Sequence, residues 1–127
     1  KSAIGGLTAL FHYKLIEQVP QSIWMVVPRT KQNRDSLYRI IRIKKNNPFG
    51  IENHGHYRIT NLERTLVEAI RYSNKIGLRT AIRATQKALL EKQTTLEKIM
   101  KMARHLHLEN SVKKYWEPLI AGVEATL

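Results

Sequence analysis

The chain has 127 residues, with 22 Lys and Arg against 10 Asp and Glu, five His and no Cys. That length suits a single compact domain with its own core, and the absence of cysteine excludes disulfides and thiolate metal sites. A formal net charge of +12 concentrates polyanions around the molecule and favours nucleic acid as a partner.

No apolar run approaches the roughly 18 residues of a membrane span. The segment 4–10 is too short and wrongly flanked for a secretory signal, so a cytoplasmic protein with no membrane partner is expected. The chain opens at Lys1 without a methionine, on residues that already look helical. This suggests one domain, residues 1–127, cut from a longer protein.

In chain order, Ile4, Leu7, Leu10, Phe11 and Leu15 recur at helical spacing and predict an opening amphipathic helix, ended by Pro20. Residues 22–27 (SIWMVV) are β-branched and aromatic and stop at Pro28, as a buried strand would. A polar loop over 29–36 leads to a second strand over 37–44 (LYRIIRIK), where alternation puts Arg39 and Arg42 on opposite faces. Asn46, Asn47, Pro48 and Gly50 mark a turn, and 57–59 reads as a short third strand.

Helix signals strengthen from Thr60. Thr60 and Glu63 have capping-box spacing, as do Thr94 and Glu97. Leu66, Ala69 and Ile70 form an apolar stripe that Gly77 interrupts. A helix over 78–91 follows, with Ala81, Ile82, Ala84, Ala88 and Leu89 inward. Leu96, Ile99, Met100, Ala103 and Leu106 continue the bundle, and the last helix carries Val112, Tyr115, Trp116, Leu119, Ile120 and Val123, kinked or restarted at Pro118. The expected fold is α+β: about three strands after an N-terminal helix, packed against four or so C-terminal helices.

The chemistry of bond-making finds little support. Asp35 is the only aspartate, whereas metal-dependent phosphoryl transfer needs clustered carboxylates. Glu63, Glu68, Glu91 and Glu97 fall where caps and solvated faces would place them. Gly5-Gly6 lacks the lysine and the preceding strand of a phosphate loop. His54 and His56 share a face but have no third ligand nearby, so no metal is assigned, and no serine sits on a nucleophile elbow. A non-catalytic protein without cofactors is expected.

What remains is basic surface. Arg79, Arg83 and Lys87, at i, i+4 and i+8, line one face of the 78–91 helix. Arg29, Lys31, Arg34, Arg39, Arg42, Lys44 and Lys45 form a second cluster, opposed locally only by Asp35. Such charge suits phosphate backbones, because neutralising phosphates releases condensed counterions. No base-reading signature accompanies it.

Two segments, LTALFHYKLIEQVP (7–20) and HYRITNLERTLVEAI (56–70), resemble the AbiEi family of antitoxins. Glu63, Arg64, Thr65 and Leu66 stand as in that family's motif, while Leu62 occupies its usual proline position and Glu68 its usual aspartate. The resemblance covers nearly the whole chain and implies the C-terminal domain of a type IV toxin–antitoxin (abortive infection, phage defence) system. In such proteins a winged helix precedes this domain, the operon is repressed through operator DNA, and a nucleotidyltransferase toxin is countered without a stable complex. The four motif residues are expected to be architectural, with Arg64 available for an ion pair. The alternative is a stand-alone basic nucleic-acid-binding accessory domain.

Overall fold

The computed structural model describes residues 2–28, 37–43 and 47–124. The fold is mixed α+β. Among the described residues the order is β1 (Ala3–Ile4), α1 (Gly6–His12), β2 (Ile23–Pro28), β3 (Tyr38–Ile43), β4 (Ile51–Asn53), β5 (Arg58–Thr60), then α2 (Leu62–Arg71), α3 (Ser73–Ile76), α4 (Leu78–Leu90), α5 (Leu96–His105), α6 (Glu109–Lys114) and α7 (Trp116–Glu124).

The sheet has five strands where three are expected, in the order β3-β2-β1-β5-β4. β2 pairs antiparallel with β1 and parallel with β3, β5 pairs parallel with β1, and β4–β5 is a hairpin. The two additional strands are two and three residues long, too short to show a period. β1 also corrects the opening of the chain. Ile4 is extended beside Met25 and Ile59, so the helix starts only at Gly6, and Gly5-Gly6 does follow a strand.

Gly6 is required there. Its φ is +51°, and a Cβ would lie 2.7 Å from Cε3 of Trp24. This close approach seats α1 on β2, where Thr8 Oγ1 accepts from the Trp24 backbone N–H at 2.8 Å. Trp24, Val26, Ile41 and Ile43 are buried on the face that meets the helices. In the parallel register Trp24 pairs with Arg39 and Val27 with Arg42, so the two arginines do point to opposite faces.

α2 is the central element, packed against α1, α4, α5 and α6. Its Leu66, Val67, Ala69 and Ile70 are at most 1% exposed. Both N-caps lie one residue later than expected, and with Arg64 and Lys98 at the third helical position neither forms a capping box. Thr60 ends β5, and Asn61 caps α2 by accepting from Arg64 N at 2.9 Å. Thr95 rather than Thr94 caps α5, accepting from Lys98 N at 3.1 Å. The displaced threonines serve tertiary contacts instead. Thr60 and Thr65 hydroxyls meet at 2.7 Å, and Thr94 donates to Glu63 at 2.6 Å.

Gly77, at φ +103°, ends α3 and starts α4. Six helices, not four, follow the sheet among the described residues, because Tyr72 and Tyr115 break two of the expected helices in addition to the break at Gly77. The chain restarts at Trp116, so Pro118 falls in the first turn of α7, where its missing N–H costs nothing.

Candidate nucleic-acid interface

The basic residues converge from two directions. α4 carries Arg79, Arg83 and Lys87, and each step of four residues rotates the stripe by about 40° around a helix of 3.6 residues per turn. The drift matters. Arg79 and Arg83 are exposed and Lys87 is half-buried at the flank, beside the core line of Ala81, Ala84, Thr85 and Ala88. Ile82 and Leu89, expected inward, are only partly buried.

Arg39 comes from the edge strand β3, on the helix-facing side. Its guanidinium carbon lies 5.4 Å from the centroid of the Trp24 ring, a cation–π contact that fixes the cation against the sheet. Trp24 is itself buried at 5% exposure, so it orients Arg39 and offers no free stacking face. Arg39, Arg83 and Lys87 line one groove of about 680 Å³, whose floor includes Trp24, Leu7, Leu15, Ile76 and Ala84. Pro20, Gln21 and Ser22, from the connection between α1 and β2, form its rim.

Arg39 and Trp24 also border a smaller hollow of about 260 Å³ with Tyr38, Arg42 and Lys75. The two concavities adjoin at Arg39 and Trp24, and between them they are bordered by Arg39, Arg42, Lys75, Arg83 and Lys87, with Arg42 on the opposite face of β3 from Arg39. Among the described residues, Glu17 is the one acidic side chain that lines them. Among the described residues no carboxylate pairs with these five cations; the ion pairs are His54–Glu52 and Arg64–Glu68. Tyr38 is 37% exposed at the strand edge and is the aromatic available for stacking.

Arg79 is on the stripe but does not line the groove. Arg29, Lys31, Arg34, Lys44 and Lys45 lie outside the described residues, as does Asp35. Lys75 is a contributor that sequence reasoning missed. It lies in a four-residue helix, too short to show which way a lysine faces.

The Glu63-Arg64-Thr65-Leu66 motif builds the interior. Arg64 is 1% exposed. Its Nε donates to Glu68 Oε2 at 3.2 Å, and Nη1 donates to the carbonyls of Asn47 and of Phe49, the latter at 2.7 Å. One side chain thus ties α2 to the turn before β4. Thr65 donates to the Asn61 carbonyl at 2.7 Å, and Leu66 is fully buried. Glu91 and Glu97 are exposed as expected, but Glu68 is not on a solvated face; it is 2% exposed. Burial pushes its carboxyl above the ordinary carboxylate range, while Arg64 pulls the other way.

His54 and Tyr13 have structural partners. His54 and His56 flank Gly55 in the β4–β5 hairpin, where His54 stacks on Tyr57 and meets Glu52. The Tyr13 hydroxyl donates to the Thr60 carbonyl at 2.7 Å, and burial together with the charges of Glu52 and Glu63 pushes it up to about 12. Among the described residues no group of three or more His, Asp or Glu is placed to hold a metal ion, and no helix is long and apolar enough to cross a membrane. No protein-family model matches the chain, and no curated protein is significantly similar to it.

Proposed function

We propose that this chain is the effector domain of an AbiEi-like antitoxin. It counters a nucleotidyltransferase toxin and supports autoregulation through a basic, nucleic-acid-facing surface, as a cytoplasmic, non-catalytic protein. The observation that carries the nucleic-acid part is the gathering of Arg39, Arg42, Lys75, Arg83 and Lys87 around two adjoining concavities, where Glu17 is the one acidic side chain among the described lining residues. Unpaired cations in a concavity focus the field on a passing polyanion. Arg39 stands on strand β3 and Arg83 and Lys87 on helix α4, so these cations are held ready for a phosphate backbone.

The antitoxin part rests on the quoted resemblance of residues 7–20 and 56–70. It is supported by the division of labour inside the second segment. Arg64 and Thr65 hold the fold while the exposed cations elsewhere remain free, as a binding module without reacting groups requires.

Fluorescence anisotropy with labelled duplex DNA and labelled tRNA at low salt tests the surface. Saturable binding that weakens steeply with salt supports it, and absence of binding to both removes it. Co-expression with the neighbouring nucleotidyltransferase gene tests the antitoxin role by growth rescue. Binding without rescue leaves the stand-alone nucleic-acid-binding accessory domain as the reading.

A further inference from the structure

Glu68 carries a second feature. Oε2 accepts from Arg64, but Oε1 is buried with no hydrogen-bond partner among the described residues, and the side chain is 3% exposed. Buried acceptors are almost always matched, and an unmatched one is expensive. Glu68 lines a cavity of about 600 Å³ between the end of β3, α2 and the α5–α6 corner, within the size range of small-ligand sites.

The other lining groups define what would fill it. Arg71 and Tyr72 lie at i+3 and i+4 from Glu68, one turn along the same face of α2, and both border the cavity. Arg71 is exposed, with its guanidinium carbon 5.1 Å from the Tyr72 ring centroid. Ile43, Leu106 and Leu108 supply apolar wall. The lining therefore combines the Glu68 carboxyl, an apolar wall, the polar side chains of Asn47, His107 and Ser111, and the exposed cation of Arg71.

We propose that this cavity binds a nucleotide, with a base amino group donating to Glu68 Oε1, the ring against Tyr72 and the apolar wall, and the phosphate at Arg71. A simple cation would satisfy Glu68 but meets Arg64 and Arg71. An amino-acid zwitterion would match both charges yet leave most of the apolar wall bare. A nucleotide supplies the donor, the ring and the anion together. Because Arg64 occupies Oε2, one oxygen remains to accept, which favours bases with a projecting exocyclic amine over uracil, whose N3–H donor is flanked by two carbonyls that repel a carboxylate. The cavity shares none of its lining cations with the basic groove, so this inference does not rest on the proposed function.

The test is calorimetric titration of the whole domain with CMP, AMP, GMP and UMP. The amino-bearing nucleotides are expected to bind, with UMP at least tenfold weaker than CMP. Glu68→Gln should erase the CMP-over-UMP preference, a change that a merely structural role would not produce. Arg71→Ala, on the exposed rim, should weaken all nucleotides by a similar factor of several-fold, and it covers the case in which Glu68→Gln fails to fold. Replacing Arg39, Arg83 and Lys87 with alanine should leave nucleotide affinity unchanged. A short single-stranded RNA ending in cytidine, compared with CMP, separates a polymer end from a free nucleotide; preference for either supports the site. No binding of any mononucleotide or of the RNA by the folded protein at millimolar concentration overturns it. So does binding that neither Glu68→Gln nor Arg71→Ala alters.

Discussion

Two arginines, Arg64 and Arg39, show how one residue type serves opposite ends. Arg64 is sealed inside, with its Nε on Glu68 and Nη1 on two backbone carbonyls. Arg39 is exposed, steadied by a ring and by no carboxylate among the described residues. The first cation is consumed by the fold, and the second remains available. Net charge alone does not separate them; what counts is which cations already have partners.

The difference is sharpened most by removing Arg64. Arg64→Met leaves Glu68 buried without its counter-charge, and breaking a buried pair in this way costs about 3–5 kcal/mol. Urea unfolding should therefore show a large drop in stability. Adding Glu68→Leu should recover much of it, because two apolar groups leave no stranded charge. Equal loss in the single and double variants would mean that the pair is not what Arg64 contributes.

The pH dependence of stability probes the same pair. Folding raises the Glu68 carboxyl above its unfolded value, so the folded chain holds that proton more tightly. Its contribution is fully present below the unfolded value of about 4.3 and is lost as pH rises through the higher folded value. Glu68→Gln should flatten this part of the stability–pH curve.

Tyr13→Phe is a smaller perturbation of the interior. It removes the hydroxyl bond to Thr60, worth about 1 kcal/mol, and leaves that carbonyl with the Thr65 hydroxyl at 3.2 Å. Folding keeps the Tyr13 proton up to about pH 12. The wild type should therefore lose stability between the unfolded value, about 10, and that pH, and the variant should not. The smallest effect on stability belongs to the groove: replacing Arg39, Arg83 and Lys87 with alanine should move unfolding by about 0.5 kcal/mol or less per site, since none holds an ion pair among the described residues.

Legibility in the sequence follows the same division. β2 and β3 were readable because six-residue runs of β-branched and aromatic side chains carry their own signal. α2, α4 and α5 were readable from apolar stripes. β5, three residues long, was readable only as a short strand after the turn, while β1 and β4 were not, since they are defined by the strands they pair with. The caps moved by one residue because threonine and asparagine both accept from backbone N–H, and tertiary bonds decided between them. Arg83 and Lys87 were identifiable as a stripe, but their meeting with Arg39 depends on how α4 lies against the sheet. Glu68 was misplaced for a general reason: glutamate is almost never fully buried unless paired, and Arg64 four residues earlier supplies that pairing.

The central claim is that the free cations of the groove, not total charge, bind nucleic acid. The direct measurement is duplex-DNA affinity by anisotropy across a salt series, for the wild type and for the Arg39→Ala, Arg83→Ala, Lys87→Ala variant. With five phosphates engaged the wild-type log–log slope should be about −4.5, and the variant should lose about three units of it along with its affinity. A variant that keeps the wild-type slope and affinity while folded would contradict the account.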